Sequence, residues 1–423
     1  MNTKWFKLDT AGLIFPAIKR NNWINVYRIS VTLTEDVDPE ILMTAVGNLK
    51  KRFPSFYVAL RHGFFWNYLE EARVDVEVKE DYAYPLTHMS SKEVKRCALR
   101  VFYHQKRIAV EFFHSITDGE GASIYVRSLT AEYVRLKYGE EIEYTAYVLN
   151  PSERPKNYEL EDSFFKHTNG YANKRNEKVA YRLHGTPLKE DGFLTLTTGV
   201  VDSDILRKKA KEYDCTVTAF LTALMIRAII PIQEEEVPKK RRRPVVVSIA
   251  INLRKLFPSR TLRNFVLAEN VGIDPKKGEY TLEELTKSVT SQMALKISRQ
   301  NMASAIASNV LPQQNLLVSL APLPLKNLVM DMVYASHGEK HACINISNLG
   351  KVEIPESVEK HVERMEFIIG VQRTYPNNCS IATVGNTTCI NMIRSIKESE
   401  LERRFFTSLV ELGIPVSIET NRR

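Results

Sequence analysis

One short string in the chain is dense in groups that could move a proton: Phe113-His114-Ser115-Ile116-Thr117-Asp118-Gly119. An imidazole titrates near neutral pH, so His114 can take a proton from an attacking hydroxyl, amine or thiol and hand it on later. Asp118, four residues further, is close enough across a turn to fix the loop. Gly119 is expected to let the backbone reverse without a Cβ clash. The competing reading is a core histidine whose hydrogen bonds are satisfied, with a structural Asp beside it.

The flanking residues supply the frame that positions this string. Cys97 to Tyr103 and Arg107 to His114 read as a hairpin turning at Gln105-Lys106. In its second strand Ile108, Val110, Phe112 and His114 share one face, because side chains alternate along a strand. A tight turn follows, then a helix from about Glu120 to Lys137, with Ile124, Leu129, Tyr133 and Leu136 on its inner side. A histidine at the end of an apolar strand face sits on a rigid element and is partly desolvated, as a general base should be.

The rest of the chain alternates strand and helix. Ile24 to Leu33 reads as a strand, followed by a helix capped by Asp36 or Asp38, opened by Pro39 and closed at Pro54. The plan returns in Phe193 to Val201, in a helix capped by Asp202 or Asp204 and running through Ala210, and in a second helix, Val217 to Ala228. Pro244 to Ile251 is almost purely β-branched and apolar, which marks a strand buried on both faces. Ala342 to Ile346 and Arg364 to Val371 read as further strands, and Leu401 to Leu412 as the last helix. Residues 148–175 lack periodicity and connect the halves, giving subdomains 1–175 and 176–423.

Composition narrows the class. The 423 residues suffice for two halves with real cores. Lys plus Arg exceed Asp plus Glu by 59 to 50, a formal +9 that favours an anionic ligand without the dense basic patch of a nucleic-acid binder. The five cysteines form no C-x-x-C pair, so a reducing, cytoplasmic setting is expected. Met1 to Pro16 has no signal-peptide core, and Ala219 to Ile232 is too short to span a bilayer. Glu234 to Arg243 is a charge run, best read as an exposed loop between a helix and a strand. His337, His341 and Cys343 form a weak H-x₃-H-x-C candidate for zinc, without a fourth ligand nearby. No permanently bound cofactor or metal is expected.

His114, Asp118 and Gly119 resemble the His-x-x-x-Asp-Gly motif of the chloramphenicol-acetyltransferase-like superfamily, in particular its alcohol-acetyltransferase-like and condensation-domain-like branch. The start of the chain through Arg52-Phe53-Pro54, the buried strand followed by Asn252-Leu253-Arg254, and Ile346-Ser347-Asn348-Leu349-Gly350 are similar to the family as well. Only the His motif is specific by itself. Phe113 stands where many condensation domains carry a first histidine, and the Asp-Phe-Gly-Trp-Gly motif of the plant branch is absent.

The resemblance implies an α/β protein, an α+β sandwich of two related subdomains with an active-site tunnel between them. It implies acyl transfer from a thioester, acyl-CoA before an acyl carrier protein, onto a small alcohol or amine, with His114 as general base. Asn252, Ser347 and Asn348 are candidate substrate or oxyanion contacts, alongside a backbone N–H near Gly119. The alternatives are a stand-alone condensation-type enzyme and a binding member of the fold without catalysis. From the family likeness, and because an Asp between a buried strand and helix needs a partner, Asp118 is expected to pair with the fork of Arg254 and to take no part in the chemistry.

Overall fold

The computed structural model describes residues 4–18, 25–82, 85–168, 170–172, 177–189, 192–334, 338–372 and 374–422. Among these residues three sheets are present. The five-stranded sheet has the order Val362–Ile369, Val26–Leu33, Arg107–Phe113, Leu99–His104, Val78–Glu80. The seven-stranded sheet runs Val266–Ile273, Val245–Asn252, Ile344–Lys351, Asn377–Val384, Thr387–Arg394, Thr195–Asp202, Ser417–Thr420. The third sheet has three strands, Trp5–Lys7, Asn67–Glu71 and Val58–His62.

The expected hairpin is present: Leu99–His104 pairs antiparallel with Arg107–Phe113, and His104 faces Arg107 across the two-residue turn. Gln105 takes φ 49° there, left-handed backbone that such a tight turn demands. Asp38 caps the helix Pro39–Leu49 by accepting from the Glu40 and Ile41 N–H groups, and Asp202 caps Ser203–Glu212 in the same way. The strand Val245–Asn252 lies inside its sheet, between Val266–Ile273 and Ile344–Lys351, as its apolar composition requires.

The division at residue 175 is bridged. Val362–Ile369, far along the chain, pairs with Val26–Leu33 at the edge of the five-stranded sheet. It is tied to the other sheet through the Phe367 carbonyl, which accepts from the Ser380 hydroxyl and from Asn391 Nδ2. The core is correspondingly two clusters. The first contains Phe53, Phe56, Phe112, Tyr125 and Phe367, and the second Phe220, Leu224, Ile249, Phe265 and Phe405.

The helix Val217–Glu236 is longer than expected and is apolar and long enough to cross a membrane by length and composition alone. Most of its side chains, from Ala219 to Ile229, are instead packed in the second cluster. The helix takes in Glu234, Glu235 and Glu236, so the acidic half of the charge run is helical and not the expected loop; there Glu234 pairs with Arg242 at 2.6 Å and Glu235 with Arg404 at 2.7 Å.

Candidate active site

The motif strand Arg107–Phe113 ends one residue before His114, whose N–H donates to the Asn25 carbonyl at 2.9 Å. The imidazole is half-buried. Phe15 stacks on it, ring centres 4.2 Å apart, and Tyr27 meets it edge-on at 4.8 Å. The Tyr27 hydroxyl donates to the Thr117 carbonyl at 3.0 Å, and Asn25 Nδ2 donates to the Phe15 carbonyl at 2.9 Å, so both aromatic neighbours are themselves held.

A residue that sequence reasoning missed sets the state of this ring. Asn264, from the loop after the strand Val245–Asn252, lies 3.2 Å through Oδ1 from His114 Nδ1. Its Nδ2 is 3.1 Å from Asp9 Oδ2 and 3.1 Å from the His114 carbonyl oxygen. Both partners only accept when Asp9 is ionised, so that end of the amide must be the donor and Oδ1 faces the ring. Nδ1 therefore carries the proton, and the lone pair stays on Nε2. Asp9 in turn is fixed by Arg263 at 3.3 Å and by the Gly12 N–H at 2.6 Å. Burial pushes Asp9 up to about 6, against the pull of Arg263, which still leaves it ionised at neutral pH.

Burial also holds the His114 pKa below the usual imidazole value, and outweighs the upward pulls of the main chain, of the Asp118 charge and of Asn264. Only the neutral ring can accept a proton. Activity should persist as pH falls to the usual value of about 6.5 and be lost below it. Asn264→Ala removes one upward pull and the orienting bond. Its acid limb in kcat/KM should move to still lower pH, while kcat falls about 10–100-fold, the loss known for metal-bound histidines deprived of an orienting partner. An unchanged kcat and limb in Asn264→Ala would show that the amide does not set the ring.

Asp118 is not a partner of the ring. Oδ1 accepts the Gly121 N–H at 3.0 Å and caps the motif helix Gly119–Tyr138. Oδ2 accepts Arg254 Nη1 at 2.8 Å and the Phe265 N–H at 2.7 Å. The expected ion pair is thus present, but through one carboxylate oxygen. The bidentate fork is not formed, because Nε and Nη2 of Arg254 are taken by the Thr261 carbonyl and Nη2 also by that of Arg263. The pair anchors the loop that carries Asn264 to the loop that carries His114.

The glycines act differently from expectation. Gly119 has no left-handed φ. A Cβ there would lie 3.0 Å from Leu349 Cδ2, a flexible side chain. At Gly121 a Cβ would lie 2.3 Å from both the Leu262 carbonyl oxygen and Thr117 Oγ1. Gly121→Ala should therefore destabilise by about 1–3 kcal/mol, and Gly119→Ala by clearly less, measured as urea midpoints. The reverse order would contradict this packing.

Of the other expected contacts, Asn252 donates through Nδ2 to Glu120 at 3.2 Å and caps the turn that bears Arg254. Asn348 donates to Thr218 Oγ1 at 3.1 Å and accepts the Gly350 N–H at 2.7 Å. Both are structural in these bonds. The strand end carrying Ser347 and Asn348 comes beside the motif helix through Leu349. Two cavities, of about 250 and about 510 Å³, lie away from His114, one lined by Arg28, Ser30 and Glu366 and the other by His167, Phe257 and Arg299. His114 lines neither of them. For the zinc candidate, His337 lies outside the described residues. His341 Nδ1 donates to the Lys178 carbonyl at 3.1 Å, and burial pushes the Cys343 thiol up to about 12.

No family model and no curated protein sequence matches the chain. Solved structures do. The trichothecene 15-O-acetyltransferase TRI3 from Fusarium sporotrichioides aligns with a TM-score of 0.61 and 11% identity, over 96% of this chain and 93% of that one. TRI101 of F. sporotrichioides, solved with coenzyme A and T-2, aligns at 0.61 and 10%, over 98% and 99%. The condensation domain of the monacolin K polyketide synthase MokA aligns at 0.57 and 12%, over 97% and 96%. The chain has the two-subdomain chloramphenicol-acetyltransferase-like fold that acetyltransferases and condensation domains share.

Proposed function

We propose that the protein transfers an acyl group from a thioester, acyl-CoA in the first place, to a hydroxyl or amine acceptor, with His114 as general base. The observation that carries this reading is the imidazole itself: half-buried, lowered in pKa by burial, and oriented by Asn264 so that Nε2 holds the lone pair. In the reaction the acceptor's oxygen or nitrogen attacks the thioester carbon while its proton passes to Nε2. The tetrahedral intermediate then expels the thiolate, which takes that proton, leaving the acylated acceptor and free thiol. Such assistance is worth about 10²–10⁴-fold in rate.

The oxyanion of the intermediate needs a donor. Of the candidate side chains, Ser347 is the best placed to serve, because the amide of Asn348 is already engaged with Thr218 and that of Asn252 with Glu120, and a backbone N–H near Gly119 is the alternative donor. Coenzyme A is favoured as carrier by the +9 charge of the chain and by the likeness to TRI101, which was solved with that ligand. A carrier-protein thioester is the second reading, favoured by the likeness to a condensation domain. A cytoplasmic setting fits the five free cysteines. Thiol release measured with acetyl-CoA and with an acyl carrier protein, each against a panel of alcohols and amines, separates the readings. Release from coenzyme A that weakens with salt is expected. Release only from the carrier reverses the donor, and release from neither, with thioester still bound, leaves a binding protein.

A further inference from the structure

The helix Leu323–Val333 presents an apolar stripe to solvent. Leu325, Leu328, Val329 and Met332 recur at spacings of three and four residues and are each half or more exposed, 52%, 58%, 50% and 63%. Beside it is the tip of the hairpin between Val58–His62 and Asn67–Glu71, where Phe64 is 72% and Phe65 37% exposed. Helix and tip are one surface. The Leu323 N–H donates to the Phe64 carbonyl at 2.9 Å, and Lys326 Nζ donates to the Phe65 carbonyl at 3.0 Å. Lys326 Nζ also lies 3.5 Å from the centre of the Trp66 ring, and Lys7 Nζ lies 5.6 Å from it.

We propose that this surface docks the protein on an anionic lipid bilayer. A helix with leucine and methionine facing outward, next to a pair of phenylalanines on a projecting turn, has the chemistry of the headgroup–acyl boundary. Two lysines agree with that occupant, against one carboxylate, Asp331, on the helix. Lys326 and Lys7 sit among the aromatic side chains, where a bilayer would offer them lipid phosphates, and the whole chain carries +9. The core of a protein–protein interface would instead be depleted in lysine.

The surface is also connected to the reactive ring. The helix Leu323–Val333 packs against the short helix Ile14–Ala17, whose Phe15 stacks on His114. A molecule docked through this face holds His114 close to the membrane surface, where apolar alcohols and acyl chains dissolve. Docking is a binding property and stands or falls apart from the chemistry at His114.

Flotation of the full chain with vesicles tests it, using phosphatidylcholine alone and phosphatidylcholine mixed with phosphatidylglycerol. The expected result is binding to the mixed vesicles, weaker binding to the neutral ones, and release by salt. Leu325→Glu with Leu328→Glu should lower the partition coefficient about tenfold or more. Phe64→Ser, at a side chain 72% exposed, provides a second variant at a separate element. Far-ultraviolet circular dichroism and thermal melts of both should match the wild type, since the substituted side chains are largely exposed. Failure to float with either vesicle, or variants that float as well as the wild type, would overturn the proposal. So would a dimer by light scattering that both variants disperse, because the face would then join two copies of the chain.

Discussion

His114→Ala should lower kcat by about 10²–10⁴-fold and leave the protein folded. The ring is half-buried and lies between Phe15 and Tyr27, which can close part of the gap. Its loss should cost about 1 kcal/mol of stability, the ordinary price of a substitution that strands no buried charge. Asn264 and Asp9 keep each other and Arg263, so no carboxylate is left alone. Turnover in His114→Ala within a few-fold of wild type would remove the imidazole from the reaction.

Asp118→Ala should behave in the opposite manner, with stability and activity falling together. The change leaves the Arg254 guanidinium, which is nearly buried, without its carboxylate, and leaves the Gly121 and Phe265 N–H groups without an acceptor. Breaking a buried pair from one side costs about 3–5 kcal/mol. The loop bearing Asn264 would loosen from the loop bearing His114, so the loss of activity is secondary to the loss of order. Asp118→Asn keeps one oxygen acceptor and should recover part of the stability. Urea denaturation of the three proteins reads the order directly. An Asp118→Ala protein as stable as the wild type would contradict the bracing role.

Much of this arrangement was legible in the sequence where a local rule applied. The hairpin around Gln105-Lys106 follows from period-two alternation and a two-residue turn. The partnership of Asp118 and Arg254 follows from the cost of a buried lone charge, added to the family likeness. The shape of that pair did not follow, because it depends on the carbonyls of Thr261 and Arg263, which only the folded loop brings to the guanidinium. Asn264 was illegible for the same reason. It lies 150 residues from His114 in sequence, in a loop with no motif of its own. Asp9 did leave a trace: a lone carboxylate among the apolar residues near the start of the chain has to be paired if it is buried. The strand Asn377–Val384 was hidden by Asn377, Asn378 and Ser380, polar residues that are buried there. The acceptor for Ser380 is Phe367, on a strand that belongs to the other sheet.

The most direct measurement is the protonation pattern of the His114 ring at neutral pH, read by nitrogen-15 NMR of histidine-labelled protein and assigned by its absence from His114→Ala. The arrangement of Asn264 and Asp9 requires a proton on Nδ1 and a bare Nε2. In Asn264→Ala the same signals should shift toward a mixture of tautomers. A wild-type ring protonated on Nε2, or on both nitrogens, would leave no lone pair for the acceptor's proton and would contradict general-base catalysis by His114.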